Sequence, residues 1–450
     1  MTEPRGRAPA EIGRTKIGFV GTFEVANYGD CLFPVVYKRL LEKRIPDCEF
    51  HYYSPRPGMS PLGHYGPVKA LPATLDELHF DADTLIQCGG ETLALGHSPG
   101  TYNFPASTLS AFARMWLGPT VAAARGDVNF YVHSVGMPTT DLRPKSAIAR
   151  GLSYASRVSL RDKVSAMRLD GSFPVEVDPM FALSMCSTPE EWEAKAASFL
   201  PNGFEPQQYL CAHISAPYLA LGLRPWCEEI AKAHRASQLP ILLLPICHFL
   251  WDRETLEAAR SMLIGMGVAD AMIQFPEPGS EEVLATASLI GNSAGIITTS
   301  LHALVSAVSF GVPFAGFGGE GKVDGKHRQT LAVAGVEHGV TAHMQDLADT
   351  IEHSLSKDHL QTRDTAIARA LAGLDALVAD ILSQQNGMAS KPMPMPPEVI
   401  EEVLAADRQP TLNRRWEIKR GLLRFIKRLP AAEKALATRR RSRLLRDVAG

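Results

Sequence analysis

The sequence predicts an α/β protein made of two Rossmann-like halves, and three observations carry that reading. AGIITTSLHALVSAVSFGVPFAGF, over Ala294–Phe317, reads as strand, helix and strand. KIGFVG, over Lys16–Gly21, reads as a buried strand that leads through a loop into a helix. The alternation of short apolar runs with helical periods pauses at the polar, Pro-bearing Ser187–Pro206 and then resumes. With 450 residues, 45% hydrophobic and 21% charged, the chain has the length of about three domains and enough apolar content for a sizeable core.

Residues 1–15 hold basic residues with no apolar run behind them, fit neither a secretory signal nor an anchor, and read as a flexible N-terminus. The Lys16–Gly21 strand leads into the loop Thr22–Asp30, which contains Asn27-Tyr28-Gly29-Asp30. A helix follows from about Cys31 to Arg44, with Asp30 placed as its N-cap and Pro34 tolerated in its first turn. Glu49–Tyr53 is the second strand, and the Pro/Gly-rich Ser54–Pro72 is long enough to form a binding flap. Thr84–Cys88 is a strand running into Gly89-Gly90-Glu91, where paired glycines suit either a close ligand or a tight turn. A helix over Ser107–Ala124, a strand at Val128–His133 and a helix near Lys145–Ala155 come next.

Arg157–Leu160 reads as a short strand, and the helix after it begins at Arg161-Asp162-Lys163 with Asp162 as cap. Arg161 therefore sits at a strand's carboxyl end, facing the crevice where open α/β sheets bind ligands. A guanidinium there grips a carboxylate or phosphate through two hydrogen bonds; a surface arginine paired with a neighbouring acid is the other reading.

The first domain is expected over 16–187 and the second over 207–384, with strands at Tyr209–Ile214, Ile241–Leu244, Met272–Phe275, Gly295–Thr298 and Phe314–Phe317. Between the last two, Ser300 is placed to cap a helix whose Leu301, Leu304, Val305 and Val308 share one face and which Gly311 ends. The first N–H groups of that helix are unpaired and carry the positive end of its dipole, so Ser300, Leu301 and His302 are placed to bind an anion. A cap and a merely packed histidine are the alternative. His213 and His248 follow two of the other strands and could line the same cleft, or be structural. Gly318–Thr330 reads as a glycine-rich basic loop with Lys322, Lys326 and Arg328, and Met344–Gln384 as largely helical.

Residues 385–450 read as a linker followed by a basic amphipathic tail. Arg414–Gly450 carries thirteen Lys or Arg against three acids, a net +10 on a chain whose total is −2, so the body is acidic. Trp416, Leu422, Leu423, Phe425, Ile426 and Leu429 interleave those charges, which suits an anionic membrane surface better than nucleic acid; a solvated tail is the alternative. Seven scattered cysteines without a Cys-x-x-Cys pair point to a reducing cytoplasm and to no structural zinc. The most apolar stretch, Leu239–Leu250, is too short to span a bilayer.

NYGD near the first strand, GGE after a later one, SLRDKVS in mid-chain, VDP at Val177–Pro179 and TTSLHALVSAVSFGVP before a lysine-bearing loop occur in order between about residues 16 and 335. That ordered set resembles the polysaccharide pyruvyl transferase family. The resemblance implies a GT-B-like pairing of the two domains and transfer of a pyruvyl group from phosphoenolpyruvate to a sugar, as a ketal across two hydroxyls. No cofactor or metal is expected. The acceptor would be a glycan or lipid-linked oligosaccharide presented at the inner face of the membrane. Arg161 and Leu301-His302 are implied to hold the donor. His302 is then the candidate acid, given a pKa in the working range, and Asp30 or Glu91 the candidate base, with Asn27, Gly29, Gly89 and Gly90 as nearby loop residues. Many members carry an arginine directly before Leu-His, where Ser300 stands here. Lys322 or Lys326 would then supply the missing charge, or the donor differs. A glycosyltransferase using a nucleotide sugar and a non-catalytic binding subunit are the other two readings.

Overall fold

Two parallel sheets organise the chain. The computed structural model describes residues 14–408 apart from 64, 97–101, 103, 106, 139–144, 320, 322–324, 337 and 386–392. The first half holds β1 (Thr15–Val20), β2 (Cys48–Ser54), β3 (Gly58–Met59), β4 (Pro67–Ala70), β5 (Thr84–Cys88), β6 (Asn129–Val135) and β7 (Arg157–Leu160). Their order is β3-β4-β2-β1-β5-β6-β7, with only β3 antiparallel to its neighbour. The second half holds β8 (Leu210–His213), β9 (Ile241–Leu243), β10 (Ile273–Gln274), β11 (Gly295–Thr298), β12 (Phe314–Phe317) and β13 (Val340–Thr341), in the parallel order β10-β9-β8-β11-β12-β13. Strands β5, β8, β11 and β12 are buried along their whole length because helices cover both faces, which is why they read as unbroken apolar runs.

Several boundaries differ from the sequence reading. Ser54–Pro72 is not a free flap: β3 and β4 extend the sheet edge, and Val68 is buried against β2. The first helix spans Tyr28–Glu42, so Asp30 lies inside its first turn and Asn27 occupies the cap position. Asn27 makes no capping bond; its Nδ2 donates instead to Asp30 Oδ2 at 3.0 Å. Lys326–Val333 is a helix rather than part of a loop, with His327, Thr330 and Leu331 buried on one face. The boundary segment contains a helix, Pro189–Ala197, closed by a Thr188/Glu191 capping box, and its Trp192 is 4% exposed against Phe310 of the second half.

The segment expected as linker and tail contains, among the described residues, the helix Pro397–Arg408, which packs on the Lys145–Leu152 helix of the first half. The long helix Leu360–Gln385 runs along both halves: Arg44 and Arg157 of the first half pair with its Asp375 and Asp380 at 2.6 Å each. A single apolar cluster joins Phe19, Tyr131 and Phe181 to Leu304, Phe314 and Leu377, so the halves share a core beneath the cleft. No helix among the described residues is long and apolar enough to cross a membrane. The basic stretch from Arg414 onward lies outside the described residues.

Candidate active site

The carboxyl ends of the two sheets face each other, and the residues singled out from the sequence gather there. After β5, Gly89 and Gly90 both have positive φ, 67° and 71°, a conformation in which a side chain is strained. That turn delivers Glu91. After β7 comes Arg161, held from behind: Asp162 caps the next helix through Ser165 N–H at 2.7 Å and also accepts the Ser165 hydroxyl at 3.0 Å. A register shift in β6 with Ser134 at φ 55° precedes Gly136, where any Cβ would lie 2.6 Å from Arg161 Nε. Only glycine lets the guanidinium lie there.

Arg161 is 2% exposed, and its Nη2 stands 3.3 Å from Glu91 Oε1. The other Glu91 oxygen lies 3.6 Å from Lys326 Nζ at the start of the Lys326–Val333 helix. A salt-bridge chain Arg161–Glu91–Lys326 thus crosses from the first half to the second. Burial alone would push the Glu91 carboxyl up, but Lys326, Arg161 and His327 outweigh it and hold it below the usual carboxylate range. Glu91 in turn holds the Lys326 ammonium above its ordinary value. Asp162 Oδ2, 3.6 Å from Arg161 Nε, is a second carboxylate, so two cations face two carboxylates.

His302 enters from the second half. Ser300 caps the Leu301–Phe310 helix by accepting Ala303 N–H at 3.4 Å, and Leu301 turns into the core. The His302 ring lies against the backbone of Gly29, where a Cβ would come within 1.9 Å of Nδ1, and edge-on to Phe33 at 5.2 Å between centroids. Tyr28 closes the same junction through a 2.7 Å bond to Ser306. His302 therefore meets the helix that carries Asp30. Its expected working-range pKa is not what the structure gives: burial, then Arg161, Lys326 and His327, push it down to about 3, so the ring is neutral at pH 7. Asp30 moves the other way. Burial raises its carboxyl to about 6 against the pull of Thr22 and Asn27.

Three residues here were given no role by the sequence reading, although Asp178 stands in its VDP motif. His327 is 1% exposed, its Nε2 bonds the Thr299 carbonyl at 3.0 Å, and burial followed by Lys326 lowers its pKa to about 3. The i, i+3, i+4 spacing of His327, Thr330 and Leu331 is helical, but only Leu331 is apolar, so the signal in the sequence was faint. Asp178 is buried near Arg161 and raised to about 6. Glu24, in the loop after β1, accepts the Tyr102 hydroxyl at 2.8 Å and is raised by burial. Arg161 Nε, His302 Nε2 and His327 Nδ1 are all buried without a hydrogen-bond partner among the described residues. His213 does not reach this cluster; it bonds Thr298 and Asp252 behind it. His248 lies in the turn after β9, with its pKa lowered by burial. Lys322 lies outside the described residues. Among the described residues no group of three or more His, Cys, Asp or Glu is placed to hold a metal ion.

The polysaccharide pyruvyl transferase family model matches residues 27–320, which runs from the Asn27 turn through the Glu91, Arg161 and His302 positions. The chain belongs to that family. Membership makes it a transferase of polysaccharide biosynthesis by family. A search of curated proteins gives no match. Among solved structures, the UDP-GlcNAc 2-epimerase of Methanocaldococcus jannaschii is similar at TM-score 0.53 and 13% identity, covering 81% of this chain and 100% of its own. The UDP-GlcNAc 2-epimerase of Neisseria meningitidis, bound to UDP-GlcNAc, is similar at TM-score 0.49 and 13% identity, covering 82% and 100%. At that identity the first likeness bears on fold alone, and this pyruvyl transferase family member has the GT-B-like pairing of two Rossmann-like domains.

Proposed function

We propose that this family member transfers the pyruvyl group of phosphoenolpyruvate to a glycan diol, releasing phosphate and forming a ketal. The observation that carries the reading is the Arg161–Glu91–Lys326 chain beside His302, where the buried Arg161 guanidinium is joined by His302 Nε2 and His327 Nδ1, both without hydrogen-bond partners among the described residues. A small trianion suits such a site, since the two cations and helix N–H groups replace its hydration. Arg161 grips it by its fork, and Lys326 takes the part that an arginine at position 300 plays in relatives. Ser300, with its hydroxyl committed to capping, adds no charge.

In this reading Glu91 is a counter-ion rather than the base, because two cations keep it ionised and poorly basic. Asp30, whose proton leaves near pH 6, takes the base role. The arriving trianion reverses the field around His302 and raises its proton affinity, so the ring becomes an acid only with donor bound. The step then balances. A proton reaches the donor's methylene carbon, the first sugar oxygen bonds to C2, and Asp30 removes that hydroxyl's proton. Phosphate leaves C2, the second sugar oxygen replaces it, and the second hydroxyl proton leaves with the phosphate.

The test is phosphate release from phosphoenolpyruvate across a panel of glycans with free vicinal or 4,6-hydroxyls, with products weighed for one added ketal. Phosphate release matched to ketal formation is expected. Turnover of nucleotide sugars in the same panel, with phosphoenolpyruvate inert, would replace this reading by glycosyl transfer. The basic tail from Arg414 adds a proposal about place: its cations and apolar residues suit docking on an anionic leaflet that presents lipid-linked acceptors.

A further inference from the structure

His213 and Asp252 are both fully buried, yet they lie outside the cluster around Arg161. His213 ends β8, and Asp252 opens the helix Asp252–Gly265; His213 Nε2 and Asp252 Oδ2 are 2.7 Å apart. Ser215 donates its hydroxyl to Asp252 Oδ1 at 2.9 Å. Trp251, just before Asp252, holds φ 61° without being glycine. Strain of that kind persists only where the surroundings over-determine it, and here it turns Asp252 inward.

Two arms leave this pair. In one, His213 Nδ1 bonds Thr298 Oγ1 at 2.9 Å, and the same oxygen accepts the Ser300 backbone N–H at 2.9 Å. Ser215 N–H reaches Thr299 Oγ1 at 3.0 Å, and the Thr299 carbonyl holds His327. That arm fixes the turn which presents His302. In the other, Asp252 Oδ2 accepts the N–H groups of Ile246, at 3.3 Å, and Cys247, at 2.6 Å. The Ile246 carbonyl then accepts Tyr28 N–H at 3.0 Å, and Cys247 forms a backbone bridge with Asn27. This arm crosses to the first half and holds the helix start that carries Asp30.

We propose that His213–Asp252 is a positioning pair that sets the register of the two halves across the cleft, and thereby the placing of Asp30 against His302. An apolar pair would fill the same space. It could not tie two loops from different elements to one point, because a carboxylate accepts several N–H groups at once and a hydrocarbon accepts none. The effect on turnover rests on the pyruvyl-transfer reading; the effect on register does not.

Hydrogen exchange on the full chain separates the two. In Asp252→Asn, the Tyr28 and Cys247 amides should exchange about tenfold faster or more, while the core amides of β1 and β5 stay within about twofold of wild type. With phosphoenolpyruvate as donor, kcat should fall more than KM, by about tenfold to a hundredfold. Unchanged Tyr28 and Cys247 exchange, or an equal rise at every core amide, would overturn the proposal. Should the wild type leave phosphoenolpyruvate unconverted, the functional reading falls and the exchange result still decides the register. Should Asp252→Asn fail to fold, Thr298→Val cuts only the first arm: Ser300 exchange should then rise about tenfold with Tyr28 unaltered, and no change at Ser300 would count against the pair.

Discussion

Each charge at the cleft is paired, shifted or left facing the opening, and those three conditions give different expectations for different side chains. His302→Gln should fold normally and still bind phosphoenolpyruvate, yet lose about 10²–10⁴-fold in turnover, the usual worth of an acid–base group. Near-wild-type turnover per folded molecule would take His302 out of the chemistry. Arg161→Lys keeps the charge and loses the fork, so donor affinity by calorimetry should drop about tenfold or more. Unaltered binding in both that variant and Arg161→Ala would leave Arg161 with a structural role only. Asp30 gives a prediction in pH. Its carboxyl titrates near 6 in the fold against an ordinary 3.8, so the folded chain keeps a proton that the unfolded chain has lost. That contribution to stability is full below about 3.8 and is gone once pH has risen through about 6. Asp30→Asn should therefore gain about 1–3 kcal/mol relative to wild type at pH 8 over pH 4 in denaturant unfolding. Activity runs the opposite way, because the base must be charged: kcat/KM should decline as pH falls through about 6, and a flat profile there would reassign the base.

Elements divide by whether their cause is local. Asp162 and Ser300 as caps, Gly311 as a helix end and the apolar runs of β5 and β11 were all legible, since each depends on a few adjacent residues. So were the positions of Arg161, His302 and Glu91, because each lies within four residues of the carboxyl end of a strand of a parallel sheet. The short strands β3 and β13 were not legible, being too brief for any period and made only by their neighbours. The Lys326–Val333 helix hid in a glycine-rich run, and with it the role of His327. Nor could the charge state of His302 be read, because it depends on burial and on cations from two other elements, Arg161 after β7 and Lys326 on the Lys326–Val333 helix. The Pro397–Arg408 helix looked like tail because its partner surface lies more than 240 residues away in sequence. Its Asp407 accepts the backbone N–H of Gly96 at 2.6 Å and of Ser110 at 3.1 Å, as well as the Ser110 hydroxyl. Asp407→Ala should thus cost about 2–3 kcal/mol in thermal or denaturant unfolding, since it strands buried donors. A loss within about 0.5 kcal/mol would mean that the helix is only loosely seated.

For the molecule as a whole, the acidic body and basic tail predict salt-dependent attachment to anionic vesicles, each cation near such a surface contributing about 1 kcal/mol. The full chain should cosediment with phosphatidylserine vesicles at low salt, and a chain ending at Arg408 should not; equal sedimentation of the two would dismiss the tail as a membrane contact. The shared core has a consequence of a different kind. Tyr131 and Phe181, laid down early, are covered by Leu374, Leu377 and Ile381, and the Lys145–Leu152 helix waits for Val399 and Val403. During synthesis the N-terminal portion thus leaves the ribosome with an uncovered apolar flank, and some 200 further residues must be translated before its lid arrives. Emergence of the Leu360–Gln385 and Pro397–Arg408 helices, rather than completion of the first sheet, is the moment at which this half can finish folding.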